Sequence, residues 1–238
     1  LLLPVGAFLL SLLPAPTTVS AEGTGRDFLS EYAPTYFGMD DGLASIEINS
    51  VTQPGDGYIW VGGYSGLYFY DGSRFYQIDL GKGISSVTTL YTAKNGDLWI
   101  GTNDVGVVRF SVKNQTSKVY GTASGLSSES VRSICEDDDG NIYVGTVVSP
   151  CVITSSGVVG KYDGLEGISN VTSMSANGDW ICGTTGNGVL FLMKQGTVYQ
   201  TLSSNQMLYN TVAWGKDNEL MVGTTGNELV RFTLEGDQ

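Results

Sequence analysis

Five copies of one apolar strand motif, a repeat period close to forty residues and a glycine-rich composition with few charges together predict an all-β chain, a β-propeller of four-stranded antiparallel blades. The motif is clearest at Asn95-Gly96-Asp97-Leu98-Trp99-Ile100-Gly101-Thr102. Gly96 turns the chain at no steric cost, and the short aromatic and branched run after it suits a buried strand. Related runs close on Gly62, Gly145, Gly183 and Gly223, giving spacings of 39, 44, 38 and 40 residues. Five blades of a larger, seven-bladed ring are expected, because an open array leaves apolar faces uncovered at both ends.

Taken in order, Leu1 to Leu13 is almost wholly apolar, and Val19-Ser20-Ala21 ends in small residues. That pattern predicts a signal peptide over 1–21 with its basic start missing, too short and too interrupted by Pro4 and Pro14 for a comfortable membrane span. Residues 22–37 read as a linker whose Phe28 to Phe37 part, Tyr36-Phe37 above all, could supply a ring-closing outer strand. The repeats occupy 38–238, as blades at about 42–80, 83–121, 125–162, 167–202 and 205–238.

Each blade opens on a turn such as Gly83-Ile84-Ser85-Ser86 or Gly125-Leu126-Ser127-Ser128. First strands are expected at Ile46 to Gln53, Val87 to Ala93, Val131 to Glu136, Val171 to Ser175 and Tyr209 to Trp214. The glycine motif supplies the second strand. Third strands follow at Gly66 to Tyr70, Gly106 to Phe110, Val152-Ile153, Gly188 to Leu192 and Leu229 to Phe232. Fourth strands are weaker, at Arg74 to Ile78, Ser117 to Tyr120, Val158 to Tyr162 and Gly196 to Thr201. The turn before Gly178 is shorter than its counterparts. Aligned on the closing glycines, Trp60, Trp99, Tyr143, Ile181 and Met221 share one position, where large side chains should fill the space between blades.

The net charge of −12 argues against nucleic acid and anionic membrane surfaces as partners. Histidine is absent, which removes imidazole metal ligands and the commonest general base. Cys135, Cys151 and Cys182 lie in apolar strand patterns and read as free, buried thiols. The first and third strands of a blade stand roughly 9–10 Å apart, too far for Cys135 to bridge to Cys151. The acidic run Glu136 to Asn141 places Cys135 where a calcium loop needs its first oxygen ligand, so it reads as a turn. Nothing calls for a metal or another cofactor.

The pattern Asp-Gly-x-Ile/Leu-Trp-Val/Ile-Gly, with Gly-Leu-Ser-Ser upstream and Gly-Leu downstream, resembles the two-component regulator propeller repeat over Tyr32 to Phe232. The resemblance implies an exported sensory propeller, periplasmic or extracellular, in a bacterial receptor. A transmembrane helix and a histidine kinase or diguanylate cyclase would follow as its partners. It carries no catalytic residues over to this chain.

Loops on a rigid scaffold are where binding resides. The loops leading into first strands and those joining second to third strands share one rim of a propeller. Ligand-binding candidates there are Tyr64, Asn103, Asp104, Asn187, Asn227, Glu129 and Asn170, with Ser45, Ser86, Ser128, Thr185 and Thr225 nearby. Their amide, hydroxyl and aromatic groups suit a small polar or glycan-derived ligand. A second copy of the chain is a further candidate partner. The rival functions are a secreted propeller enzyme acting on polysaccharide and a scaffold for protein–protein contact. Asp138 to Tyr143 partly imitates the Asp-box of sialidase-like propellers, but Arg26, Arg74, Arg109, Arg132 and Arg231 are scattered over different repeat positions.

Overall fold

The second strands of blades 2 to 4 are buried on both faces, and that requirement fixes the architecture. The computed structural model describes residues 33–44, 47–160, 167–204, 207–216 and 218–234. The expected signal peptide and the Phe28 to Tyr32 part of the linker lie outside them. Blade 1 comprises β1 (Ile48–Thr52), β2 (Ile59–Gly63), β3 (Gly66–Tyr70) and β4 (Phe75–Ile78). Blade 2 comprises β5 (Val87–Thr92), β6 (Leu98–Thr102), β7 (Val107–Ser111) and β8 (Thr116–Tyr120). Blade 3 holds β9 (Val131–Glu136), β10 (Ile142–Thr146), β11 (Cys151–Ile153) and β12 (Val159–Gly160). Blade 4 holds β13 (Val171–Asn177), β14 (Trp180–Thr185), β15 (Leu190–Lys194) and β16 (Thr197–Leu202). Blade 5 has β17 (Tyr209–Trp214), β18 (Glu219–Thr224) and β19 (Leu229–Thr233) among the described residues. Every sheet is an antiparallel meander in chain order, and the first strands of neighbouring blades lie against one another. The fold is a β-propeller.

The first hairpin has the same register in every blade. Ile48, Val87, Val131, Val171 and Tyr209 pair with Gly63, Thr102, Thr146, Thr185 and Thr224, and a bulge follows at once on the first strand. A bulge leaves one residue outside the ladder and turns its side chain. Those residues clip the blades together. Asn49 Nδ2 donates to the Val87 carbonyl at 2.8 Å, and Thr88 Oγ1 to that of Val131 at 2.8 Å. Thr172 Oγ1 donates to the Asn210 carbonyl at 3.3 Å, and Arg132 reaches back to Asn103 at 2.8 Å.

Alternation on the second strand builds the seams. In blade 2, Leu98 and Ile100 face back into the cluster with Trp60 and Val87, while Trp99 faces forward to Val131, Ile142 and Val144. Tyr143 likewise faces forward, to Val171, Met174 and Ile181. Gly101 has to be glycine: a Cβ there would come within 2.6 Å of Thr89 and 2.9 Å of Val131 in the next blade. The Trp99 ring stacks on Tyr120 at 5.6 Å, and Arg109 caps it while binding Asp97 at 2.6 Å. Glu219 and Arg231 repeat that ion pair at the same positions of blade 5, at 3.1 Å.

Blade 4 departs from the alignment on glycines. Its first turn is one residue shorter, so Thr185 rather than Thr184 pairs with Val171, and Ile181 falls on the backward face. Cys182 takes the position of Trp99 and Tyr143, and joins Val212, Leu220 and Val222 of blade 5. A one-residue slip reverses every side chain of a strand. Counted on the paired residues Gly63, Thr102, Thr146, Thr185 and Thr224, the period is 39, 44, 39 and 39, more regular than the glycines suggest. The third strand of blade 4 accordingly starts two residues later than expected, at Leu190.

Tyr36 and Phe37 form no strand. Phe37 instead rests on Tyr70 and Phe75, with ring centroids 5.1 and 5.5 Å away, and Leu43 joins the same cluster on the outer face of blade 1. The rest of that face is bare: Val51 is 64 % exposed where its counterpart Leu90 is 8 % exposed. At the other end Leu229 is 65 % exposed where Val107 is fully buried. The three cysteines are free and buried, and burial pushes the thiols of Cys135 and Cys182 up.

Since Trp99 fills a seam, Trp99→Ala is expected to lower stability by ~3–5 kcal/mol. Urea denaturation of the two proteins measures it, and a loss below ~1 kcal/mol would contradict this account of the seams.

Candidate rim site

The rim carrying the lead-in loops and the β-strand 2–3 loops is a hydrogen-bonded girdle. Within blades, the amide that starts the second loop donates to the carbonyl just before the first strand. Asn103 donates to Ser86 at 3.1 Å, Val147 to Ser130 at 3.2 Å, Gly186 to Asn170 at 2.7 Å and Thr225 to Leu208 at 2.9 Å. Between blades, Gly106 donates to the Glu129 carbonyl at 2.9 Å, Asn170 to Val147 at 3.1 Å and Tyr209 to Gly188 at 3.4 Å. In blades 2 to 5 the second loop is also cinched by the threonine that ends its strand. Thr102 Oγ1 donates to the Gly106 carbonyl and accepts the Val105 amide, at 2.8 and 3.0 Å. Thr146, Thr185 and Thr224 do the same in their own loops. Sequence reasoning missed this role, although a threonine directly after four of the five closing glycines was its signal.

The candidate residues divide by what already holds them. Asn103 is engaged on both ends of its amide: Nδ2 donates to Ser86 Oγ at 2.9 Å, and Oδ1 accepts from Ser130 at 3.1 Å and Arg132 at 2.8 Å. Asp104 caps the lead-in loop, accepting the Ser85 amide and hydroxyl at 2.6 Å each. Glu129 accepts the Thr122 amide and hydroxyl, at 2.9 and 2.6 Å, with its second oxygen buried over Gly106 and Gly121. Asn170 adopts a left-handed φ of 50° between its two girdle bonds. Ser128 accepts the Ser130 amide, and Ser45 lies outside the described residues. Tyr64, Asn187 and Asn227 are exposed on separate blades. Of these, Asn187 accepts from Thr185 Oγ1 at 2.5 Å, and Asn227 takes a left-handed φ of 61°.

At the opposite rim the acidic run joins blades 2 and 3. Glu136 accepts the Lys94 amide at 2.7 Å, and Lys94 Nζ reaches the Asp137 carbonyl at 3.0 Å and Asp138 at 2.6 Å. Burial and the neighbouring Glu136 carboxylate hold the Tyr91 phenol up to about 12. Asp137 binds the Asn141 amide and side chain at 2.8 and 2.9 Å, closing the turn. Among the described residues no helix is long and apolar enough to cross a membrane, and no cluster of three or more His, Cys, Asp or Glu could hold a metal ion.

The family description "two component regulator propeller" matches residues 81–104 and 125–147, the lead-in loop, first hairpin and following loop of blades 2 and 3. No curated protein matches the chain in sequence. Among solved structures, the extracellular domain of the hybrid two-component system BT3049 from B. thetaiotaomicron is similar, at 18 % identity and a TM-score of 0.63. That match covers 86 % of this chain but only 37 % of the other, so this chain spans little more than a third of that domain. PorZ, a surface component of the type-IX secretion system of Porphyromonas gingivalis, is similar at 15 % identity and a TM-score of 0.65, over 84 % of this chain and 34 % of PorZ. A catalytically inactive histidine-to-alanine variant of virginiamycin B lyase from Staphylococcus aureus, solved with quinupristin, aligns at 16 % identity and a TM-score of 0.60, over 80 % and 71 %. At these identities the structures share the fold, and the two matched segments are similar to the two-component regulator propeller repeat.

Proposed function

We propose that the chain is the ligand-sensing propeller of an exported bacterial receptor, taking a small polar or glycan-derived ligand on the girdled rim. The observation that carries this reading is the repeat match itself, because its two segments start and end on the rim loops of blades 2 and 3. Tyr64, Asn187 and Asn227 are the side chains best exposed to a ligand there, while Asn103, Asp104, Glu129 and Asn170 hold the loops in place. The bare faces at Val51 and Leu229 support further blades packing on either side, and signalling through segments beyond them.

Two variants separate binding from support. Screened against an oligosaccharide panel by calorimetry, Tyr64→Ala should weaken the bound sugar about tenfold or more with an unchanged melting temperature. Unchanged affinity would remove this rim as the site. Asn103→Ala should instead destabilise the protein by ~1–3 kcal/mol, since Arg132 and Ser130 lose their acceptor. An unaltered melting temperature would show that the girdle is not structural at that point.

A further inference from the structure

We infer that Arg132 makes the girdled rim selective for an acidic sugar, taking the carboxylate or sulfate of the ligand on its guanidinium. The inference rests on the rim reading above and names the class of sugar that the rim would hold. It starts from the one blade that breaks the rule of the bulges. The five bulge residues, Asn49, Thr88, Arg132, Thr172 and Asn210, stand at the rim end of the first strands. First strands lie against one another, so these residues surround the propeller axis.

Asn49, Thr88 and Thr172 each donate forward to a carbonyl on the first strand of the next blade. Arg132 does the opposite. Its Nη1 group reaches back to Asn103 Oδ1 at 2.8 Å, and the side chain stays exposed. Asn103 is itself fixed by Ser86 and Ser130, at 2.9 and 3.1 Å, so the guanidinium is anchored by a braced but neutral acceptor. A neutral acceptor orients the charge without cancelling it, and leaves the Nε–Nη2 edge of the fork for a second, planar partner.

The other arginines among the described residues are spent. Arg109 and Arg231 are ion-paired with Asp97 and Glu219, and Arg74 lies over the Tyr76 ring at 5.5 Å. Arg132 has neither a carboxylate nor a ring against it, although acids outnumber bases two to one in this chain. The acids of the same rim are turned elsewhere: Asp104 holds the Ser85 amide and hydroxyl, and Glu129 those of Thr122. With a net charge of −12 the field of the whole protein repels an anion, so a preference for acidic ligands has to come from a local site.

Calorimetry with three oligosaccharide sets tests this: uronic-acid oligomers, their carboxyl-reduced neutral counterparts, and sulfated neutral oligomers. The wild-type protein should bind one acidic set about tenfold or more tighter than the neutral sugars, and the set that binds identifies the oxyanion. Arg132→Gln should abolish that preference, and Arg132→Lys, a charge without the fork, should keep only part of it. A purely structural role would shift the melting temperature and leave the ratio of acidic to neutral affinity unchanged. Tyr64→Ala separates this inference from the rim reading. Equal affinity for acidic and neutral sugars, both weakened by Tyr64→Ala, would keep the rim and overturn the role of Arg132. A preference that survives Arg132→Gln would overturn it as well. A preference lost in Arg132→Gln but untouched by Tyr64→Ala would support the arginine and count against the wider rim, and no binding of any set would overturn both.

Discussion

The seam between adjacent sheets is the constraint on which everything else here depends. A four-stranded sheet of this composition has two apolar faces and no way to bury either alone. Stacking blades side by side solves that, provided forward and backward faces complement each other at every step. Leu98 and Ile100 meet Trp60 behind them, and Trp99 meets Val144 ahead. The clips from the bulge residues then tie neighbouring blades together at their first strands.

The rim follows from the same repetition. Because each first hairpin has one register and one bulge, each pair of loops arrives at the same height and can exchange amide and carbonyl groups with its neighbours. Most of the polar side chains there are consumed in making the rim rigid. Tyr64, Asn187 and Asn227 stay exposed on it. Such a division between supporting and exposed residues suits a platform whose loops vary while its backbone stays put.

Much of this was legible in the sequence. The period and the glycine motif disclosed the blades, and first strands such as Val131–Glu136 and Tyr209–Trp214 were placed as observed. Blade 4 was misread because its glycine is a weaker landmark than the threonine that follows. With the turn one residue shorter, Gly183 moves to the backward face and Thr184 pairs with Ser173 in its stead. Only the pairing of Val171 with Thr185 reveals that Cys182 holds the aromatic position. The Tyr36-Phe37 stretch failed as a strand for a different reason: the Phe37 ring finds Tyr70 and Phe75, and side-chain packing replaces a ladder. The status of Asn103 and Glu129 as braces was invisible for want of any local signal, since their partners Arg132, Ser130 and Thr122 are set by tertiary placement.

The facing of blade 4 tests the seam account most directly, through double-mutant cycles on Ile181. If Ile181 faces blade 3, Ile181→Val and Tyr143→Leu should couple by about 0.5 kcal/mol or more in urea unfolding, while Ile181→Val and Val222→Ala should be additive within about 0.3–0.5 kcal/mol. Coupling of Ile181 to Val222, with additivity toward Tyr143, would contradict it.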